Sequence, residues 1–154
     1  MSEPTQTQTQ LFDQLCARWA REAELLVGEG NLASPIVVLL PRDVNADEVP
    51  IRLEGLRGNL AERGPALVAE ILPTARDHEP AGLVFIAQLR LGGLPALPGA
   101  DDTVVVYVSL GAAAWRRARA YAVRRPLGGP VTLDAEADPA DSSMFSWLDE
   151  LLVR

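Results

Sequence analysis

The sequence contains one cysteine and one histidine, which limits the chemistry that its side chains can supply. A lone Cys16 excludes an internal disulfide framework and any metal site built from several cysteines. A lone His78 excludes the metal-binding motifs that require a pair of histidines. The glycine-rich segment at 92–101 lacks the lysine of a P-loop and the glycine spacing of a dinucleotide site. We therefore predict that the chain holds no metal ion and no cofactor.

Lysine is absent altogether, so all 14 basic residues are arginine. We attribute this usage to a GC-rich bacterial genome rather than to a separate role for each arginine. The 21 acidic residues outnumber the arginines and give a net charge of −7. An acidic protein is disfavoured as an indiscriminate binder of nucleic acid or of an anionic membrane.

Long apolar runs are also missing. No run approaches the length that is needed to cross a bilayer. The polar start MSEPTQTQTQ has neither the basic residues nor the apolar segment of a signal peptide. We therefore expect a cytoplasmic protein that makes no membrane contact.

Two neighbouring β-prone runs, at 83–91 and 103–110, form the centre of the sequence. When their residues are assigned alternately to the two sides of a strand, both runs are apolar on both sides over much of their length. Strands of this kind belong in the middle of a covered sheet. The loop at 92–101 is too short and too rich in glycine and proline for a crossover helix, so we predict antiparallel neighbours.

Periodicity and turn residues predict the remaining elements. Residues 1–8 are too polar to bury anything and are predicted to be disordered. Pro50 is expected on an edge strand or at the start of a strand, because proline cannot donate a hydrogen bond to the ladder. Alternating arginine and alanine at 116–125 favour a strand, with a helix as the competing interpretation. In chain order we predict a helix from about Thr7 to Gly28, strands at 36–40 and 49–54, a helix from 59 or 65 to about 76, the central pair, and strands at 116–125 and 131–135.

The predicted order is helix, two strands, helix, four strands and helix. It indicates an α+β domain in which a mostly antiparallel sheet of five to six strands is flanked by two longer helices and a short C-terminal helix. We expect one such domain over 9–135, then an acidic linker at 136–143 and an amphipathic helix at 144–154. The order of elements is similar to that of profilin-like and roadblock-like domains, which are often adaptors, although the chain carries no sequence motif of either family.

The C-terminal helix is the first candidate site. It is apolar along one side, short enough to be marginal alone, and preceded by acidic residues. This composition is typical of a segment that docks into a groove of another protein. The competing interpretation is that the helix covers its own sheet. The candidate anchors on a partner protein, or on a second copy of the chain, are Phe145, Trp147, Leu148, Leu151 and Leu152.

The arginine cluster at 116–125 is the second candidate site. On a strand, Arg117, Arg119 and Arg125 point the same way with Tyr121 between them, and neighbours on that side are roughly 6.5–7 Å apart. This spacing is close to that of phosphates along a nucleic-acid strand, and the tyrosine could stack on a base. The alternative is a solvated face paired with the acidic residues at 134–141. The acidic net charge favours this alternative and makes nucleic acid an unexpected partner.

His78 is the third candidate site. Its imidazole ionises near neutral pH, and the carboxylates of Asp77 and Glu79 flank it, so it could act as a general base. No serine or cysteine nucleophile motif accompanies it, and nothing in the sequence brings the carboxylates at 43–48 to it.

These patterns favour a small non-catalytic protein-interaction or regulatory module. Binding of a nucleic acid or another polyanion through the arginine strand is the second hypothesis, and a small enzyme that uses His78 is the third. Cys16 falls on the apolar stripe of the first helix, so we predict a core residue rather than a reactive thiol.

Overall fold

A computed structural model describes residues 4–28, 35–42, 46–53, 60–90, 102–110, 115–124, 127–135 and 142–152. The helices are α1 (Pro4–Gly28), α2 (Leu60–His78) and the 3₁₀ helix η1 (Ser142–Leu152), and the strands are β1 (Ile36–Leu40), β2 (Val49–Arg52), β3 (Gly82–Arg90), β4 (Asp102–Leu110), β5 (Trp115–Arg124) and β6 (Thr132–Ala135). The predicted α+β class and the predicted order of elements are confirmed.

The strands form one six-stranded sheet in the order β2-β1-β3-β4-β5-β6, and every neighbouring pair is antiparallel. The predicted central pair, β3 and β4, occupies the middle of this sheet, where Phe85 lies opposite Tyr107 and Val84 opposite Val108. All four side chains are fully buried. Their burial on both faces explains why these two strands carry the most continuously apolar sequence.

The segment at 115–124 is a strand, as its alternating pattern predicts, and the competing helix is not formed. It pairs with β4 on one side, where Arg119 lies opposite Val106, and with β6 on the other, where Val123 lies opposite Leu133. The helix preference of alanine is a weak local effect, and pairing with two neighbouring strands overrides it.

Different elements cover the two faces of the sheet. The α1 face packs against α1, and the η1 face packs against α2 and η1. The buried side chains of the α1 face are Phe12, Leu15, Cys16, Ala23 and Val27 of the helix and Ile36, Val38, Val84, Ile86, Val104, Val106, Val108, Tyr121 and Val123 of the strands. Those of the η1 face are Val37, Leu39, Leu53, Val68, Ala75, Leu83, Phe85, Ala87, Val105, Tyr107, Ala118, Phe145, Leu148 and Leu151. The predicted core position of Cys16 is confirmed.

The first helix begins at Pro4, earlier than the predicted start near Thr7. Residues 4–8, predicted to be disordered, therefore belong to the helix. Proline suits a first turn because its ring presets the backbone angle and because the missing N–H would have no partner there. Leu11, although apolar and next to the buried Phe12, is 39% exposed.

The second helix continues through two prolines, Pro65 and Pro73, and ends at His78, slightly beyond the predicted end near 76. Each proline removes one backbone hydrogen bond and strains the preceding turn. Val68 and Ala75 are nevertheless buried against the η1 face, with 1% and 0% exposed. Burial of the helix on the sheet offsets the local cost of the prolines.

The C-terminal helix is a 3₁₀ helix that begins at Ser142, rather than the amphipathic α-helix predicted at 144–154. Side chains three residues apart lie directly above one another in a 3₁₀ helix. Phe145, Leu148 and Leu151 have this spacing and are 1%, 0% and 2% exposed. A buried row with a period of three accounts for the tighter helix.

Both edge strands offer limited backbone for pairing with another chain. The N–H of Leu53 donates to the carbonyl of Pro35. Because backbone N–H groups alternate between the two sides of a strand, residue 50 directs its backbone nitrogen towards the outer edge of β2. This residue is proline, so that position has no N–H to donate. On β6, the N–H of Leu133 donates to Oε1 of Glu24 at 2.9 Å. Short, partly occupied edges of this kind hinder strand addition.

Candidate interaction surface

The predicted anchors of the C-terminal helix lie against the protein's own sheet. The ring of Phe145 is 5.5 Å from that of Phe85 and 5.6 Å from that of Tyr107, measured between centroids. Trp147 meets Phe85 edge-on at 5.9 Å. The buried anchors are Phe145, Leu148 and Leu151, and the partly buried ones are Trp147 and Leu152. The competing interpretation, in which the helix covers its own sheet, describes this structure.

Asp149 fastens η1 to the sheet through two polar contacts. The hydroxyl of Tyr107 donates to Oδ1 of Asp149 at 2.6 Å, and Nη2 of Arg116 lies 2.9 Å from Oδ2. The second contact is an ion pair without hydrogen-bond geometry, since Oδ2 accepts no hydrogen bond among the described residues. Burial, and then the hydrogen bond to Asp149, raises the pKa of Tyr107 well above its ordinary value. The hydroxyl therefore remains a donor throughout the physiological pH range.

The arginines of β5 meet α1 at a second surface. The Cζ atoms of Arg117 and Arg119 lie 5.7 and 5.0 Å from the ring centroid of Phe12, and Cζ of Arg117 is 5.9 Å from the ring of Trp115. Nη2 of Arg119 donates to Oδ1 of Asp13 at 2.9 Å. We refer to Phe12, Asp13, Trp115, Arg117 and Arg119 as the arginine surface.

This surface combines exposed charged side chains with a buried aromatic ring beneath them. Phe12 is 1% exposed, whereas the side chains of Arg119 and Asp13 are 35% and 54% exposed and Arg117 is also exposed. A cation–π contact contributes roughly 0.5–1 kcal/mol at an exposed site. An exposed ion pair contributes about 0.2–1 kcal/mol. The guanidinium groups are thus positioned by the rings while they remain open to solvent.

The other predicted members of the polyanion site are placed differently. Tyr121 lies beneath α1 with 6% exposed, so its ring does not stand free between the arginines as the strand pattern suggested. Burial raises the pKa of Tyr121 to about 12 and that of the neighbouring Cys16 thiol to about 11. The helix covers this tyrosine because it is part of the core of the α1 face. Arg125 lies outside the described residues.

Three arginines of β5 are paired with carboxylates from three different elements. The pairs are Arg116 with Asp149 of η1, Arg119 with Asp13 of α1, and Arg124 with Asp134 of β6. The last carboxylate belongs to the acidic stretch at 134–141 that the sequence predicts as the partner. Arg117 makes no ion pair with any residue that the structure describes. The arginine surface therefore holds two guanidinium groups and one carboxylate on a protein whose net charge is −7.

His78 is exposed at the end of α2, where it lines a cavity of about 110 Å³ together with Asp47. The rest of the lining is apolar: Leu39, Leu40, Pro41, Ala46, Val49 and Pro80. The fold thus places one carboxylate of the 43–48 segment beside the same cavity as the histidine, a proximity that the sequence does not reveal. Pockets that bury a drug-sized ligand are usually larger, roughly 300–1,000 Å³.

The other carboxylates considered together with His78 are placed differently. Glu48 forms an ion pair with Arg18 of α1, and Asp43 lies outside the described residues. Glu79 ends α2 in a left-handed conformation with φ of 44°, and its carbonyl accepts a hydrogen bond from Nε of Arg42 at 3.1 Å. A left-handed residue at this position is a common way to terminate a helix.

Metal and membrane features are not found in the described ranges. Within them, no group of three or more histidine, cysteine, aspartate or glutamate side chains is placed to hold a metal ion. The cysteine there, Cys16, is free and buried. The helices that the structure describes include none with the length and apolar character that crossing a membrane requires.

The chain is similar to a curated protein from Magnetospirillum gryphiswaldense named "Probable magnetosome protein Mms48". The two are 29% identical over 115 residues, which is 75% of this chain and 24% of that protein. The chain therefore spans about a quarter of the length of the relative that it matches. No protein-family model and no solved structure matches the chain.

Three members of the arginine surface were not singled out as functional by the sequence: Phe12, Asp13 and Trp115. A signal was available for two of them. Strand alternation places Trp115 on the same side as the arginines two and four residues later, and helical spacing turns Phe12 towards the sheet. Asp13 carries no such signal, because its contact with Arg119 joins residues 106 positions apart.

Proposed function

We propose that the chain is a non-catalytic protein-interaction module that binds a partner protein through the arginine surface. The observation that carries the proposal is the state of Arg117. Its guanidinium is exposed, lies over the rings of Phe12 and Trp115, and has no ion-pair partner among the described residues. Arginine and tryptophan are enriched among the residues that contribute most to binding at protein interfaces.

The surroundings of Arg117 support the same assignment. Leu11, next to Phe12 in sequence, is 39% exposed and leaves apolar area open to solvent on α1. Trp115 is half-buried, and its ring contacts Phe12 edge-on at 5.8 Å. Rigid aromatic groups lose little conformational freedom when a partner binds, which lowers the entropic cost of association.

Binding at the arginine surface does not require any helix to leave the sheet, and for this reason we prefer it to the anchors of the C-terminal helix. Docking through Phe145, Leu148 and Leu151 would require η1 to leave the sheet. That movement would expose the aromatic cluster around Tyr107 and separate Asp149 from its two partners. Partner binding by those side chains remains a second hypothesis for the same module.

The similarity to a longer protein offers independent support. The matching segment makes up 24% of a protein that is named as a probable magnetosome protein. A related sequence is thus part of a longer chain there, as expected of a domain that works alongside others. The name also makes magnetosome proteins reasonable candidates to test as partners.

Affinity capture from the native host, followed by mass spectrometry, tests the proposal. We would compare the full-length protein with Arg117→Gln and with Arg124→Gln, and use circular dichroism to verify that all three are folded. Arg124 lies on the same strand and pairs with Asp134, so its replacement makes the same change of charge away from the arginine surface. We expect Arg117→Gln to lose a partner that the other two proteins retain.

Identical partners for all three folded proteins would overturn the proposal. Capture that disappears after nuclease treatment would point to the polyanion hypothesis instead. A His78→Ala variant should keep every partner, because His78 lines a separate cavity at the end of α2.

A further inference from the structure

The Asp13–Arg119 pair shows which ligand chemistry the arginine surface accepts. A carboxylate oxygen of Asp13 already receives a hydrogen bond from Arg119 at 2.9 Å. We infer that the arginine surface binds a carboxylate-bearing acidic segment of a partner protein, and that Asp13 occupies part of this site in the free protein. This inference rests on the proposed function and adds the chemistry of the partner and a competing internal group.

Asp13 can be displaced without disturbing the fold. Its side chain is 54% exposed, and that of Arg119 is 35% exposed, so both ends of the pair reach solvent. An exposed ion pair of this kind is weak, because water and salt screen it. An incoming carboxylate therefore exchanges one weak contact for another at Arg119 and gains the contact with Arg117, which has no ion pair among the described residues.

The two guanidinium groups are arranged to receive an acidic segment. Arg117 and Arg119 are two residues apart on one strand, which separates their backbones by roughly 6.5–7 Å. Side chains two apart on an extended segment have the same spacing, so neighbouring carboxylates on such a segment can meet both arginines. The ring of Phe12 lies under both guanidinium groups, at 5.7 and 5.0 Å, and limits their movement before binding. The planar fork of arginine is well suited to carboxylate oxygens.

The same surface is less well suited to nucleic acid. The aromatic ring that could have stacked on a base, Tyr121, is 6% exposed. Arg116 and Arg124 point to the other side of β5 and are paired with carboxylates of the protein itself, so they add no free charge to this surface. A net charge of −7 adds general repulsion of a long polyanion. A short acidic peptide needs only the two local arginines.

Fluorescence anisotropy with a labelled hexaglutamate peptide at low ionic strength tests this inference. Asp13→Asn is compared with Asp134→Asn, which makes the same change of charge at the exposed pair of Arg124. Asp13→Asn should bind the peptide about threefold more tightly than Asp134→Asn, because an internal competitor is removed. Arg117→Gln should bind about tenfold more weakly than Arg124→Gln, because a charge-assisted contact is lost. Added salt should weaken binding in every variant.

Three outcomes of the binding experiment would overturn the inference. Equal affinity of Asp13→Asn and Asp134→Asn would show that Asp13 does not compete. Equal or tighter binding of a labelled hexathymidylate, used as the second probe, would show that the surface does not select carboxylates. If hexaglutamate fails to bind while Arg117→Gln still loses a captured partner, the inference fails and the proposed function stands. If Arg117→Gln keeps all partners, the proposed function fails, and the inference that rests on it fails as well.

Discussion

The two faces of the sheet are covered in different ways. On the η1 face, α2 and η1 enclose an aromatic cluster around Phe145, and the carboxylate of Asp149 is held by Tyr107 and Arg116. On the α1 face a single helix lies across the strands, and its border with β5 leaves charged groups exposed over a buried ring. The charged groups of the first face, Asp149 and Arg116, are paired with each other. On the second face, Arg117 is exposed without an ion pair among the described residues.

This difference shows that the most apolar candidate site in a sequence need not be free to bind a partner. The C-terminal helix has the composition of a docking segment, yet its apolar row serves the protein's own core. The arginine surface has a less apolar sequence, but it keeps an exposed arginine beside rigid rings. We therefore attribute a stabilising role to the η1 face, and the border of the α1 face is where we propose that a partner binds.

Phe145→Ala is the strongest test of the structural role of the η1 face. The side chain is 1% exposed and contacts two aromatic rings, so its loss should lower the free energy of unfolding by about 3–5 kcal/mol. The control is Leu25→Ala on α1, which is 60% exposed and should change stability by at most about 0.5 kcal/mol. Urea unfolding followed by circular dichroism measures both. Equal effects would mean that η1 is not packed on the sheet, and the C-terminal anchors would again become candidates for partner binding.

Asp149→Ala should give a smaller loss on the same face. It leaves the buried hydroxyl of Tyr107 without its acceptor and Arg116 without its carboxylate, at a cost of about 1–3 kcal/mol. Asp134→Ala, at an exposed pair, should cost at most about 1 kcal/mol. In a Tyr107→Phe background the cost of Asp149→Ala should fall, because no hydroxyl is left unsatisfied. A cost that is unchanged in that background would contradict the coupling between Tyr107 and Asp149.

The pH dependence of stability tests how well α1 shields the core beneath the arginine surface. Burial raises the pKa of the Cys16 thiol from 9.0 to about 11, so the folded protein keeps a proton that the unfolded chain releases. This stabilisation is complete below pH 9 and is lost as the pH rises towards 11. Between pH 8 and pH 10, the wild type should lose roughly 1 kcal/mol more stability than Cys16→Ala. Parallel losses, measured by urea unfolding at each pH, would show that the thiol is open to solvent.

Much of the sheet could be predicted because the apolar or polar character of each strand residue indicates whether its side chain is buried. The runs around Phe85 and Tyr107 are apolar on both sides and form the two central strands. Pro50 marks an edge strand, since proline cannot donate to a ladder. The 3₁₀ form of the C-terminal helix was not predicted, because residues three apart, such as Phe145 and Leu148, also share one side of an α-helix.

The arginine surface could not be predicted as a whole because its parts come from distant segments. Arg119 meets Asp13 only because α1 crosses the sheet next to β5, and no local pattern specifies that crossing. Tyr121 shows the reverse effect: strand alternation places it beside the arginines, but the same helix covers it. Local periodicity reports which side of an element a residue lies on, and the packing of elements decides whether that side is open.

Site-specific photo-crosslinking tests the assignment of partner binding to the arginine surface most directly. A photoreactive phenylalanine analogue would replace Leu11, which is exposed and next to Phe12 in sequence, or Leu127, which is fully exposed in the turn before β6. After irradiation in cells of the native host, we expect a specific crosslinked protein from position 11, absent from position 127 and lost when Arg117→Gln is added. A crosslink that forms equally at both positions, or that survives Arg117→Gln, would contradict the assignment.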